Sequence, residues 1–381
     1  MKFTVQKDHL VKGVQDVMRA VSSRTTIPIL TGIKLVVTNE GLTLTGSDSD
    51  ISIESYLPTV LEDQQLVDVK QPGSIVLNAR YFSDIVKKLP ADFVELESDS
   101  HYVTTIRAGK TEFSLNGFDA EEYPLLPQIE EHETISISAD LLKFMIRQTV
   151  FAVSTSETRP ILTGVNWKIE NGDLTCIATD SHRLALRQAK IDNNSLSNEF
   201  KASVVIPGKS LNELSKILDD STEKVDIVLT EHQALFKTKH ILFFTRLLEG
   251  NYPDTSKLIP SESKTELTVM TKEFLQAIDR ASLLAREGRN NVVHLETLSN
   301  QLVNISSYSP EIGKVVDEIV CEDIKGEELK ISFSAKYVMD ALKAIESPEI
   351  YIQFTGAMRP FLIRTANDSR TLQLILPVRT Y

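Results

Sequence analysis

Three neighbouring residues, Asp180, Ser181 and His182, hold the ingredients of a hydrolytic triad: a hydroxyl nucleophile, an imidazole base and a carboxylate to orient it. Their adjacency works against that chemistry. Triad members must converge from separate parts of a fold, and no Gly-x-Ser-x-Gly elbow is present to expose the serine. The run Gly46-Ser47-Asp48-Ser49-Asp50 offers oxygen ligands like those of a calcium loop, yet lacks the glycine and the closing glutamate at EF-hand spacing. No Gly-x-x-x-x-Gly-Lys-Ser/Thr loop cradles a nucleotide. Cys176 and Cys321 lie far apart without any Cys or His at ligand spacing, so neither a disulfide framework nor a zinc site is indicated. The expectation is a chain with no catalytic residues, no metal and no cofactor.

The chain behind these residues has 381 positions, 41% hydrophobic and 25% charged, a composition of globular domains. No apolar stretch approaches the roughly 20 residues of a membrane span, and charge interrupts Met1 to Asp8 where a signal peptide would be apolar, so a cytoplasmic location is expected. The net charge of −12, taken alone, argues against a nucleic-acid partner, since phosphate binding draws on Lys and Arg.

Internal repetition organises the sequence. Ile27-Pro28-Ile29-Leu30-Thr31-Gly32-Ile33 recurs as Arg159-Pro160-Ile161-Leu162-Thr163-Gly164-Val165, with PILTG identical at an offset of 132. Each copy follows a helical stripe: Leu10, Val14, Val17, Val21 in the first and Leu142, Ile146, Val150, Val153 in the second. A third stripe, Phe274, Leu275, Ile278, Leu283, leads instead to Asn290-Asn291-Val292-Val293. A second helix recurs after the short apolar strands 75–77, 204–206 and 331–333, and β-hairpins follow at 94–106, 225–236 and 350–363. Each third therefore reads as a doubled β-α-β-β-β element, giving six half-units. Acidic and polar linkers at 128–134 and 261–265 set domains of 1–129, 130–262 and 263–381.

Charge is segregated along this pattern. The six helical segments expected at 7–24, 78–90, 140–159, 207–218, 272–289 and 334–345 carry +8 together, leaving −20 for the rest. Basic helices on an acidic chain can hold a polyanion at one face while the remainder repels it; Lys and Arg are also good formers of solvated helices.

With the triplication, the basic helices and the segments 24–30 (RTTIPIL), 179–185 (TDSHRLA) and 376–379 (LPVR), the chain resembles the bacterial DNA polymerase III β subunit, the replicative sliding clamp, over its whole length. It is most similar to the Gram-positive type, which shares the Pro-Val-Arg-Thr-Tyr tail. The resemblance implies an α+β DNA clamp fold: three similar domains, each with two helices packed on antiparallel sheets, closing a ring as a head-to-tail homodimer around double-stranded DNA. That overturns the reading of net charge alone, because a ring retained topologically needs only weak, sequence-independent phosphate contacts.

The resemblance also implies site residues. Arg24, Arg147, Arg159, Arg280, Arg286 and Arg289 would face DNA; Pro160 and Ile161 stand where enterobacterial clamps carry a tyrosine pair, so an aromatic contact is not expected there. A pocket for a Gln-Leu-x-Leu-Phe-type peptide from polymerase III α and other polymerases, the clamp loader, and repair or regulatory proteins would comprise Leu162, Thr179, His182, Arg183, Leu184, Pro253, Lys257, Leu258, Met358, Pro360, Leu376, Pro377, Val378 and Arg379. Its apolar members suit Leu and Phe side chains; His182, Arg183 and Arg379 supply donors. Phe113, Leu283 and Leu284 would form the dimer interface. The implied activity is not enzymatic but the tethering of a polymerase, in the cytoplasm at the nucleoid, with no membrane partner. A repeat-built scaffold that binds proteins without encircling DNA is the alternative.

Overall fold

The computed structural model describes residues 1–22, 25–127, 129, 133–191, 200–285, 291–365 and 368–379. Among them are six α-helices: α1 (Lys7–Met18), α2 (Ala79–Lys88), α3 (Ala139–Thr149), α4 (Gly208–Ile217), α5 (Thr271–Ala285) and α6 (Ala335–Ala344). Each follows a short strand and precedes at least three more, so the β-α-β-β-β half-unit is present six times. None of these helices is long and apolar enough to cross a membrane.

The expected stripes become the buried faces. Leu10, Val14 and Val17 of α1 are fully buried, as is Leu142 of α3, with Ile146 close behind. The sheet beneath α1 comes so close that a Cβ on Gly46 would lie 2.3 Å from the Val17 carbonyl oxygen. Two helices, α1 and α3, stop earlier than the stripes suggest. After Met18 the N–H groups of Ala20 and Val21 turn to the carbonyls of Val17 and Met18, tightening the last turn to an i→i−3 pattern before the chain reaches Thr25, Thr26 and Pro28. In α3 the Thr149 hydroxyl donates to the Met145 carbonyl, and a 3-10 turn, Val150–Ala152, replaces the helix. Helix α5 is described to Ala285. The helices as described carry 0, +2, +1, +1, 0 and +1, a total of +5.

Two compact units emerge. The first holds Met1–Asp140 with Lys216–Leu247, the second the remaining described residues. The first contains a 13-stranded sheet in which Ile241–Arg246 pairs antiparallel with Ile51–Pro58, Ile51 opposite Thr245. The second contains a nine-stranded sheet, where Arg183–Lys190 pairs with Asp368–Ile375, Arg183 opposite Ile375, and a separate four-stranded sheet. The sheets run across the sequence boundaries expected near 130 and 262 because each central-repeat sheet continues into a neighbouring repeat. The core of the second unit gathers Phe274, Ile278 and Ala281 of α5, Val338 and Leu342 of α6, and Phe333, Phe354 and Phe361 from the strands.

Candidate functional site

The hairpin between Asp173–Thr179 and Arg183–Lys190 is shaped by its own side chains. Asp180 Oδ1 accepts from the backbone N–H of His182 (2.9 Å) and Arg183 (3.0 Å), and Ser181 takes a positive φ of 76°. The Thr179 hydroxyl donates to the Arg183 carbonyl at 2.6 Å. Asp180 thus orients backbone, not the His182 ring, and the triad arrangement does not form. The turn instead leaves His182 exposed and sends Arg183 inward.

Arg183 is 8% exposed and its guanidinium is committed internally. Nε donates to Asp180 (3.0 Å), one terminal nitrogen to Asp340 of α6 (2.7 Å) and the other to the Phe151 carbonyl (2.6 Å). Its Cζ lies 4.6 Å from the Tyr337 ring centroid and 5.3 Å from that of Phe151. Three of its five N–H groups thus tie the hairpin to α6 and to Phe151. Tyr337 in turn stacks against His182 at 6.3 Å with 16° between planes. Burial, with Asp180 nearby, pushes the Tyr337 hydroxyl above its ordinary value, which keeps it a neutral donor.

The C-terminal run completes a cleft. Leu376 N–H donates to the His182 carbonyl (2.9 Å) and Val378 N–H to that of Ser332 (2.8 Å). The result is an open cleft of about 540 Å³ lined by His182, Asn291, Ser334, Lys336, Tyr337, Pro377 and Val378. On the adjoining strands Leu184 joins Ile177, Leu362, Leu372 and Leu374 in an apolar cluster, with Tyr252 and Ile259 packed against it. The Thr179 N–H donates to the Tyr252 hydroxyl at 3.0 Å, and burial raises that hydroxyl's pKa.

His182, Pro377 and Val378 are thus brought to one cleft, while Thr179, Arg183 and Leu184 form its support. Leu258 and Met358 are large exposed apolar side chains; Pro253, Lys257 and Arg379 are exposed, and Pro360 and Leu376 half-buried. Leu162 is buried on its 3-10 turn, where its carbonyl accepts from the Ser154 N–H. Tyr252, Phe151, Tyr337 and Asp340 were not singled out in the sequence. The i, i+3 spacing of Tyr337 and Asp340 on one helix face was the available signal, but nothing local pairs it with Arg183.

The arginines divide. Arg147 is ion-paired with Glu346, and Arg280 with Asp317 at 2.6 Å. Arg159 stands exposed at the start of the Pro160–Thr163 turn with no ion pair among the described residues. Arg24, Arg286 and Arg289 lie outside the described residues. Leu283 is 59% exposed on α5, Leu284 half-buried beside it, and Phe113 exposed on the strand Thr111–Phe118. No cluster of three or more His, Cys, Asp or Glu able to hold a metal occurs among the described residues.

Six repeated β-α-β-β-β half-units are the architecture of a clamp-type protein. Matches to known proteins agree. Models of the DNA polymerase III beta subunit match its N-terminal domain at residues 1–127, its central domain at 136–254 and its C-terminal domain at 256–379. The chain is 68% identical to the beta sliding clamp of Bacillus subtilis (strain 168) and 55% identical to that of Halalkalibacterium halodurans, each over 381 residues and 100% of both chains. The crystal structure of the Bacillus subtilis DNA polymerase sliding clamp gives a TM-score of 0.96 at 68% identity, covering 100% of both chains. The DNA polymerase III beta chain of Streptococcus pneumoniae gives 0.94 at 39%, again with full coverage. The chain belongs to the DNA polymerase III beta subunit family. Its function is that of a DNA sliding clamp, a processivity factor rather than an enzyme.

Proposed function

We propose that two copies of this chain close a ring around duplex DNA, slide without reading bases, and hold a polymerase or another replication factor by an extended peptide seated at the His182 cleft. The observation that carries the docking half is the cleft itself. An exposed imidazole stands beside Pro377 and Val378, with the exposed Leu258 and Met358 as candidates for its apolar side, and Arg183 locks the whole hairpin to α6. Apolar surface with a few placed polar groups suits a short peptide carrying Leu and Phe anchors.

Ring closure is supported by two open sheet edges. Residues 111–116 pair with 103–108 on one side only among the described residues, and Gly313–Val320 is the terminal strand of the four-stranded sheet. Both expose apolar side chains, Phe113 on one, Val316 and Val320 on the other. Long, exposed apolar edges are normally blunted with charge or proline, so a second copy that pairs with them accounts for their character. In this reading Phe113, Leu283 and Leu284 lie at the joint, and the domains are 1–129, 130–262 and 263–381. The six arginines face the duplex, with Arg159 the freest among those described. The clamp works in the cytoplasm at replicating DNA. A scaffold that never encircles DNA leaves the family membership unexplained.

The docking claim is tested with a labelled Gln-Leu-x-Leu-Phe peptide. It is expected to bind the full chain and to lose binding when Leu376 to Tyr381 are deleted; unchanged binding by the deleted chain refutes the cleft assignment.

A further inference from the structure

The hairpin that builds the His182 cleft exists twice. In the first unit Asp48 Oδ1 accepts from the N–H groups of Asp50 (3.1 Å) and Ile51 (2.9 Å), as Asp180 does from His182 and Arg183. Ser49 has a φ of 80°, Ser181 one of 76°. The Ser49 N–H points to the Ser47 hydroxyl as the Ser181 N–H does to that of Thr179. The strand that follows joins the next repeat in the same way: the Asp50 carbonyl accepts from the Arg246 N–H at 3.0 Å, as the His182 carbonyl does from Leu376 at 2.9 Å. The segments that pack alongside also match, with Leu125-Leu126-Pro127 in the place of Leu258-Ile259-Pro260; Leu126 covers the apolar cluster of Val228, Leu235 and Phe244, and Ile259 its counterpart.

A second cleft results, of about 200 Å³, with Leu30, Leu125 and Phe244 as its apolar wall and Asp50, Gln233 and Arg246 on its rim. Its chemistry differs from that of the first at three matched positions. Asp50, an acceptor, replaces the donor His182; Ile51 replaces the arginine that ties the first hairpin to a helix; Arg246 replaces Leu376. Neither the Asp50 carboxylate nor the Arg246 guanidinium has a hydrogen bond or ion pair among the described residues, although their backbones are bonded to each other. Leu125 is 90% exposed, against 51% for its counterpart Leu258.

We propose that this cleft is a second docking site, for an extended partner segment in which one leucine-like anchor is flanked by a basic residue for Asp50 and an acidic residue for Arg246. The smaller volume admits one large side chain rather than two, and the unpaired opposite charges select against the Gln-led, doubly apolar peptide of the first cleft. The inference rests on the peptide reading of the His182 cleft, because it is that frame which is duplicated.

Fluorescence anisotropy on the full chain separates the two. The probes are acetyl-Ser-Lys-Leu-Glu-Ser-amide and a Gln-Leu-x-Leu-Phe peptide; the variants are Leu125→Asp, Asp50→Asn and Leu258→Asp, all at exposed positions that leave the fold intact. The charged probe is expected to bind weakly, to lose at least about tenfold in affinity with Leu125→Asp or Asp50→Asn, about 1.4 kcal/mol, and to ignore Leu258→Asp. The Gln-led probe should show the reverse dependence on the two leucines. No binding of the charged probe at millimolar concentration, or binding lost with Leu258→Asp and indifferent to Leu125→Asp, overturns the second site. Failure of the Gln-led probe alone overturns the first cleft's assignment and is read separately.

Discussion

Replacing Arg183 with methionine keeps most of the side chain's volume and removes the guanidinium that joins the hairpin to α6. Three hydrogen bonds go, two of them to carboxylates, where each is worth about 1.5–3 kcal/mol. They do not add in full, because Asp180 and Asp340 are 13% and 28% exposed and recover some water once the arginine is gone. Breaking one partner out of a buried ion pair costs about 3–5 kcal/mol, and this partial exposure places Arg183→Met near the lower end, about 3 kcal/mol. Trp167, the single tryptophan of the chain and buried in the second unit, reports that unit's unfolding by fluorescence. At a slope of about 3 kcal/mol per molar urea the midpoint should fall by about 1 M. Adding Asp340→Asn should cost less than its effect in the unsubstituted chain, because the stranded carboxylate is then neutral. A midpoint shift below about 0.3 M, or strict additivity of the two substitutions, would refute the role given to Arg183.

Three further outcomes follow from other parts of the molecule. Burial raises the Asp16 carboxyl from 3.8 to about 6, so the folded first unit binds this proton more readily than the unfolded chain does; the carboxylate opposes folding above pH 6, by up to about 3 kcal/mol, and the penalty fades as pH falls toward 3.8. Asp16→Asn should accordingly raise the thermal midpoint at pH 7.5 and change it little at pH 4, and equal gains at both values would contradict this. Arg159→Ala should weaken DNA retention and lower its salt dependence more than Arg280→Ala, whose guanidinium already holds Asp317; the opposite order in a salt titration would count against the assignment. Leu283→Asp, on an exposed position of α5, should halve the mass seen by light scattering while leaving the circular dichroism unchanged, and a persistent dimer would remove Leu283 from the joint.

Most of the half-unit pattern was legible because its signals are local. Leu10, Val14 and Val17 announce α1 by their spacing, and the hairpins at 94–106, 225–236 and 350–363 pair as expected. The helix ends were less legible, since the turn at Ala20 and Val21 and the Thr149 hydroxyl bond close helices whose apolar spacing continues. Long-range pairing was hidden altogether. Nothing near Arg183 indicates that Asp340, 157 residues away, will pair with its guanidinium, so its bracing of the hairpin was not legible in the sequence. The same holds for the joining of Ile51 to Thr245 and of Arg183 to Ile375, which creates both clefts. The duplicated loop could have been found, because Ser47-Asp48-Ser49-Asp50 and Thr179-Asp180-Ser181-His182 stand at the 132-residue offset of the PILTG match.

Encirclement of DNA is tested most directly by loading the chain onto a nicked circular duplex with a clamp loader and ATP, and then cutting the circle at one site. The protein should stay with the closed circle through gel filtration in high salt and leave once the DNA is linear, because a ring needs no tight phosphate contact to be held and slides off an end. Retention that is the same before and after cutting, or no retention on any circle, would contradict the ring.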